Sequence, residues 1–143
     1  MIKTLKENNI FLIDSNVILD VLLEQDNAYS QWSVDVLMNC SQKGFPAINQ
    51  IIYAEISSIF PDIEDFEKAI AGYSRLSLPW EAGFIAGKAF LAYRKNGGKR
   101  QTLMPDFYIG AHAAFSRLTL VSRDRGYKHY FPKLNLIAPP DQL

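Results

Sequence analysis

Residues 10–20 read IFLIDSNVILD, and this stretch decides the fold class. Ile10 to Ile13 form an unbroken apolar run of the length of a short strand buried on both faces. Asp14 stops the run. Beyond it Val17, Ile18, Val21 and Leu22 recur at helical spacing, which predicts a helix from Asn16 to Leu23. Ser15 or Asn16 can cap its first turn. A buried strand that turns into a helix through an acidic residue is the beginning of an alternating strand–helix chain.

The alternation continues outward from that point. Ala28 to Gln42 reads as a helix, with Trp32, Val36 and Cys40 along one stripe and Gly44 as its stop signal. Phe45 to Ile48 is a second strand. Asn49 can cap the following helix, on which Ile51, Ile52, Glu55, Ile56 and Ile59 share a broad face, and Pro61 ends it. Asp62 to Arg75 is a further helix whose acidic first turn suits its dipole. Leu76 to Leu78 is a short strand or an extended connection. Trp80 to Lys95 is helical, with Gly83 and Gly87 four apart as a small-residue face for a neighbouring helix. Asn96-Gly97-Gly98 is a loop. Pro105 opens the helix that runs to Phe115. Leu118 to Val121 is the clearest strand, and Leu134 to Ile137 is a final edge strand. Short apolar strands between helices indicate an α/β layer fold around a parallel sheet, in which ligands bind beyond the carboxyl ends of the strands.

The 143 residues suit one domain with a substantial core, and an apolar fraction of 48% is ordinary for a globular protein. With 15 basic and 15 acidic residues the chain does not hold nucleic acid through bulk charge. A local basic rim is still open: Arg94, Lys95, Lys99 and Arg100 form one group, and Arg123, Arg125, Lys128, His129 and Lys133 another. One cysteine, Cys40, excludes an internal disulfide, and with two histidines a Cys/His zinc site is out of reach. Lys3 and Lys6 precede no apolar stretch of signal-peptide length, and no segment has the length of a membrane span. A cytoplasmic protein is expected.

Four acids stand at element ends or on an apolar helix face: Asp14, Glu55, Asp106 and Asp124. Each has a structural reading: Asp14 as a cap, Asp106 as a dipole partner after Pro105, Asp124 as a turn residue. Glu55 is the hardest to dismiss, because isoleucines surround it and an acid is almost never buried without a partner. All four can meet on one sheet edge. Gathered carboxylates raise one another's pKa, and a divalent cation reverses that. Oxygen ligands without histidine or cysteine fit a hard cation such as Mg²⁺ or Mn²⁺, and hence phosphate chemistry.

These segments resemble the PIN-domain family: FLIDSNVILD, the helix bearing Glu55, PDFYIGAHAAF, and LVSRDRGYKHYFPKLNLIAP. The nearest likeness is to the toxin ribonucleases of VapC-type toxin–antitoxin pairs, and it extends from Ile10 to about Pro139. The resemblance implies a three-layer α/β/α sandwich with a short parallel sheet, as a single PIN-like nuclease domain over residues 1–143. It implies a metal-dependent ribonuclease in which Asp14 and Asp106 hold the principal Mg²⁺ or Mn²⁺. Asp124 would be a ligand or an orienter. Glu55 would bind metal or help to activate the attacking water. Ser15 and Asn16 would bond phosphate or fix neighbouring carboxylates. A small antitoxin partner and a homodimer are implied too, with apolar grooves for a partner helix at residues 16–37 and 51–66. The stretch from Leu76 to Arg100 departs from the family pattern through its glycine pair and its basic end.

Other residues keep two readings. Arg123 and Arg125 flank Asp124, either as phosphate contacts or as ion pairs that neutralise the carboxylates. Tyr127, Tyr130 and Phe131 are either base-stacking rings or core residues that pin the segment after Asp124. His112 and His129 have no nucleophile placed to form a triad. Two rival functions share some of these features. One is a phosphatase or phosphotransferase with Asp14 as nucleophile, although Asn16 stands where a second aspartate is usual. The other is a non-catalytic binding module of the same fold.

Overall fold

The structure is a computed structural model that describes residues 9–24 and 27–140. Lys3 and Lys6 lie outside the described residues. Five strands, β1 (Ile10–Ile13), β2 (Phe45–Ile48), β3 (Ser74–Arg75), β4 (Thr119–Val121) and β5 (Asn135–Ile137), form one parallel sheet in the order β3-β2-β1-β4-β5. Seven helices connect and cover them among the described residues: α1 (Ser15–Leu22), α2 (Ser30–Lys43), α3 (Gln50–Ser57), α4 (Ile63–Ala69), α5 (Trp80–Lys95), α6 (Pro105–Phe115) and α7 (Tyr127–Tyr130).

β1 is the central strand, as its composition requires. Leu12 and Ile13 point to opposite faces of the sheet and both are inaccessible to solvent, so helices cover both faces. The result is the α/β sandwich around a short parallel sheet that the sequence and the resemblance predict. Each such aliphatic side chain stabilises the fold by about 1.5–3 kcal/mol relative to exposure. No helix among the described residues is long and apolar enough to cross a membrane.

Several local expectations are corrected. The helix read as Asp62 to Arg75 ends at Ala69, after Phe66 and Ile70 have been buried at i, i+4 spacing. Ser74 and Arg75 then pair with Ala47 and Ile48 as the edge strand, and Leu76–Leu78 is an extended connection. Backbone pairing with the free edge of β2 outweighs a helical continuation through Gly72. Neither Ser15 nor Asn16 caps α1: Asp14 does, accepting from the Ser15 amide. On α2 the buried line is Ser33, Leu37 and Cys40, with Trp32 and Val36 only half-buried. Cys40 is buried, and burial pushes its thiol up to about 11, the mark of an inert cysteine. On α5 the buried small residues are Ala82, Ala86 and Ala89, whereas a Cβ added at Gly83 or Gly87 would meet nothing within 4 Å among the described residues.

The topology sets the site. Ile13 and Val121 are register partners on adjacent strands, and the Asp14 amide donates to the Val121 carbonyl at 2.9 Å. The first residues beyond β1 and β4, Asp14 and Ser122, therefore emerge side by side at the carboxyl edge of the sheet.

Candidate metal centre

Asp14 is the buried pivot of that edge, with 4% of its surface exposed. One carboxylate oxygen, Oδ1, accepts from the Ser15 amide at 2.8 Å. The other, Oδ2, accepts from the Ser122 hydroxyl at 2.7 Å and from the Tyr127 phenol at 2.9 Å. The same phenol reaches Asp106 Oδ1 at 3.3 Å. Pro105 and Asp106 form the first turn of α6, so that helix start brings Asp106 to the edge. Glu55 extends from α3, and its Oε1 accepts from the Ser15 hydroxyl at 3.0 Å. Asp124 lies on the rim in a tight turn, where its Oδ1 accepts from the Gly126 amide at 2.7 Å.

Charge confirms the convergence. Burial raises the Asp14 carboxyl above its ordinary value, with a further push from Asp124, against the lowering effect of its three donors. Burial raises Glu55 too, and the charges of Asp14 and Asp106 add to it. Asp106 is raised by burial of its carboxyl and by Asp14 and Asp124. The Tyr127 phenol is pushed well above its ordinary range by burial and by the same acids, so it stays protonated and donates. Among the described residues the ion pairs are Arg75–Glu67 and Arg123–Asp20, and neither touches these four carboxylates.

Such a set of hard oxygen donors, with no ion pair to these carboxylates among the described residues, fits Mg²⁺ or Mn²⁺. The carboxylates are gathered but not closed: among the described residues, no three of them are drawn into a ready-made ligand group. Ser15, Ser122 and Tyr127 hydrogen-bond to the Asp14 and Glu55 carboxylates.

The remaining sequence candidates make the following contacts. Asn16 reaches the Asp14 carboxylate through Ser122. Its Oδ1 accepts from the Arg123 amide at 3.2 Å and its Nδ2 donates to Ser122 Oγ at 3.3 Å, which ties α1 to the segment after β4. Arg123 forms an ion pair, but its partner is Asp20 on α1, at 3.1 Å, and its guanidinium lies over the Tyr29 ring. Arg125 donates to the Pro139 carbonyl. His112 is buried, with Nδ1 2.9 Å from the Asn49 side-chain amide, and burial lowers its pKa. Its neutral ring therefore accepts from Asn49, whose oxygen caps α3 through the Ile52 amide.

Sequence reasoning missed two residues. Ser122 joins Asp14, Asn16 and the Asp124 amide through one hydroxyl. The only signal was a serine two residues before Asp124, the spacing of a serine turn. Tyr127 is neither a free stacking ring nor only a core residue: its ring is buried and its hydroxyl ends among the carboxylates.

No protein-family model matches the chain, and no curated protein matches it by sequence. Solved structures do match. A chain of VapBC2 from Rickettsia felis, crystallised with a DNA fragment from the promoter, shares 18% identity at a TM-score of 0.68, over 92% of this chain and 99% of that one. A chain of FitAcB from Neisseria gonorrhoeae shares 22% identity at a TM-score of 0.64, over 93% of this chain and 99% of that one. A chain of a toxin–antitoxin complex from Klebsiella pneumoniae shares 17% identity at a TM-score of 0.62, over 90% and 97% respectively. These likenesses show that the chain has the PIN-like fold of such assemblies, over nearly the full length of both partners.

Proposed function

We propose that this chain is a VapC-type toxin ribonuclease: a metal-dependent endoribonuclease that hydrolyses RNA phosphodiester bonds. One observation carries the reading. Asp14, Glu55 and Asp106, from segments far apart in sequence, come together at the carboxyl edge of a parallel sheet that has the PIN-like fold: Ser15 bonds both Asp14 and Glu55, and the Tyr127 hydroxyl lies between Asp14 and Asp106. Carboxylates gathered without a side-chain cation cost stability unless a metal is bound there.

Asp14 and Asp106 would hold the ion, with Glu55 and Asp124 close enough to add a ligand or to orient a bound water. When bound, the ion would polarise the phosphodiester and lower the pKa of a water molecule. Around it the chain's own groups have defined tasks. Ser15 holds Glu55 through its hydroxyl and Asp14 through its amide. Ser122 fixes the second oxygen of Asp14, and Asn16 holds Ser122. Glu55, with its raised pKa, is suited to accept a proton from the attacking water.

The phosphatase alternative has less support. Asp14 is nearly inaccessible and both its oxygens accept hydrogen bonds, a poor setting for a nucleophile. Asn16, in the position of the second acid of such enzymes, is engaged with Ser122 and Arg123.

An antitoxin belongs to the same reading, because relatives of this fold were solved as toxin–antitoxin complexes. The helices between Asn16 and Phe66 expose Leu23, Val34, Met38, Ile59 and Ile63, apolar residues that suit an amphipathic partner helix. A homodimer in the cytoplasm completes the proposal.

The test is cleavage of RNA in the presence of Mn²⁺ or Mg²⁺ by the wild type, Asp14→Asn and Asp106→Asn. Both variants are expected to fold and to lose activity. Undiminished cleavage by both would end the assignment, and a phosphoryl group trapped on Asp14 would replace it with the phosphatase.

A further inference from the structure

Tyr127 is an uncharged side chain whose hydroxyl lies within reach of the carboxylates of two of the gathered acids. Its hydroxyl lies 2.9 Å from Asp14 Oδ2 and 3.3 Å from Asp106 Oδ1. Asp14 follows β1 and Asp106 opens α6, and no other side-chain hydrogen bond among the described residues joins them. The ring itself cannot drift. It is 4% exposed and packs against the backbone of α6 at Gly110, where an added Cβ would stand 3.1 Å from Tyr127 and 2.5 Å from the Phe131 ring. A rigid ring thus ends in a donor placed between two carboxylates that belong to different elements.

We propose that Tyr127 is a positioning residue for the metal centre: its phenol sets the separation and orientation of Asp14 and Asp106 so that both are aimed at one cation. This rests on the metal-dependent reading above and adds to it a residue outside the acidic set. The phenol keeps its proton throughout and transfers nothing. Its single proton lies between Asp14 Oδ2 and Asp106 Oδ1 and ties the two carboxylates to one fixed point of the fold. Partners that orient metal ligands in this way typically change metal affinity by about 10–100-fold when removed.

The experiment is a titration of the full-length protein with Mn²⁺, followed by calorimetry and by the spin-resonance signal of the free ion, together with thermal melting without metal. Tyr127→Phe keeps the ring and removes the hydroxyl. It is expected to weaken Mn²⁺ binding by about 10-fold or more while circular dichroism stays that of the wild type. Phe131→Leu is the packing control: it loosens the same wall without removing a donor and should leave Mn²⁺ affinity unchanged. If Tyr127→Phe does not fold, Tyr127→Met, which fills the space flexibly and also lacks the hydroxyl, serves instead and carries the same expectation. Unchanged or tighter Mn²⁺ binding by the hydroxyl-free variant overturns the proposal, as does an equal loss in Phe131→Leu. A wild type that binds no Mn²⁺ removes the functional reading itself, an outcome distinct from a wild type that binds and a variant that binds equally well.

Discussion

Ser15 Oγ donates to Glu55 Oε1 across 3.0 Å, and this bond fastens the first turn of α1 to the half-buried Glu55 on α3. Glu55 has no other side-chain donor among the described residues, while burial and the charges of Asp14 and Asp106 raise its pKa. Removing the hydroxyl removes the hydrogen bond that lowers it. Ser15→Ala is therefore expected to move the acid limb of the pH–rate profile for RNA cleavage to higher pH. An unshifted limb would show that Glu55 takes no part in the proton transfer.

Metal-free stability should depend on pH in two opposed ways. Asp14, Glu55 and Asp106 have folded pKa values above their ordinary 3.8, 4.5 and 3.8. Their contribution is full below those ordinary values and is lost as pH rises through the raised folded ones. The melting temperature of the metal-free protein is expected to fall across that window, and Mn²⁺ at neutral pH is expected to restore it. Asp106→Asn should flatten the fall.

His112 acts in the other direction. Burial lowers its pKa below the ordinary 6.5, so its contribution is full above 6.5 and is lost as pH drops through the folded value. His112→Gln, which can still accept from Asn49, is expected to remove this acid-side loss. Melting curves of the two variants across the same pH range separate the two effects.

Asp20 is 3% exposed and depends on Arg123 and on the Ser33 hydroxyl, which donates at 2.7 Å. Arg123→Met leaves the carboxylate with Ser33 as its side-chain partner among the described residues. The expected loss is about 2 kcal/mol by urea denaturation, reduced from the fully buried case because the arginine side chain is 31% exposed. Activity per folded molecule should stay at the wild-type level. A loss of activity without a loss of stability would return Arg123 to the substrate.

Gly110 is needed for close approach. A methyl group there would stand 2.5 Å from the Phe131 ring, against which α6 lies. Gly110→Ala is expected to cost about 1–3 kcal/mol through overpacking, read by urea denaturation.

Much of the fold was legible in the chain. The run Ile10–Ile13 is β1, Trp80–Lys95 is α5 and Pro105–Phe115 is α6, because strand runs, helical spacing and a proline at a helix start are local signals. The edge strand Ser74–Arg75 was not legible: its residues are exposed and polar, and only the open edge of β2 makes them a strand. The glycine pair of α5 misled for a similar reason, since spacing alone does not tell which side of a helix meets a neighbour.

By itself the sequence determined an alternating α/β chain, a central strand that ends in Asp14, and four acids at positions able to meet. Apolar periodicity and turn chemistry act over a few residues and can be read along the chain. Only the tertiary structure decided what surrounds those acids. Ser122 and Tyr127 reach Asp14 from 108 and 113 residues away, and Arg123 turns to Asp20. Hydrogen bonds and ion pairs at such separations depend on how helices and strands pack in three dimensions, and no local pattern carries that information.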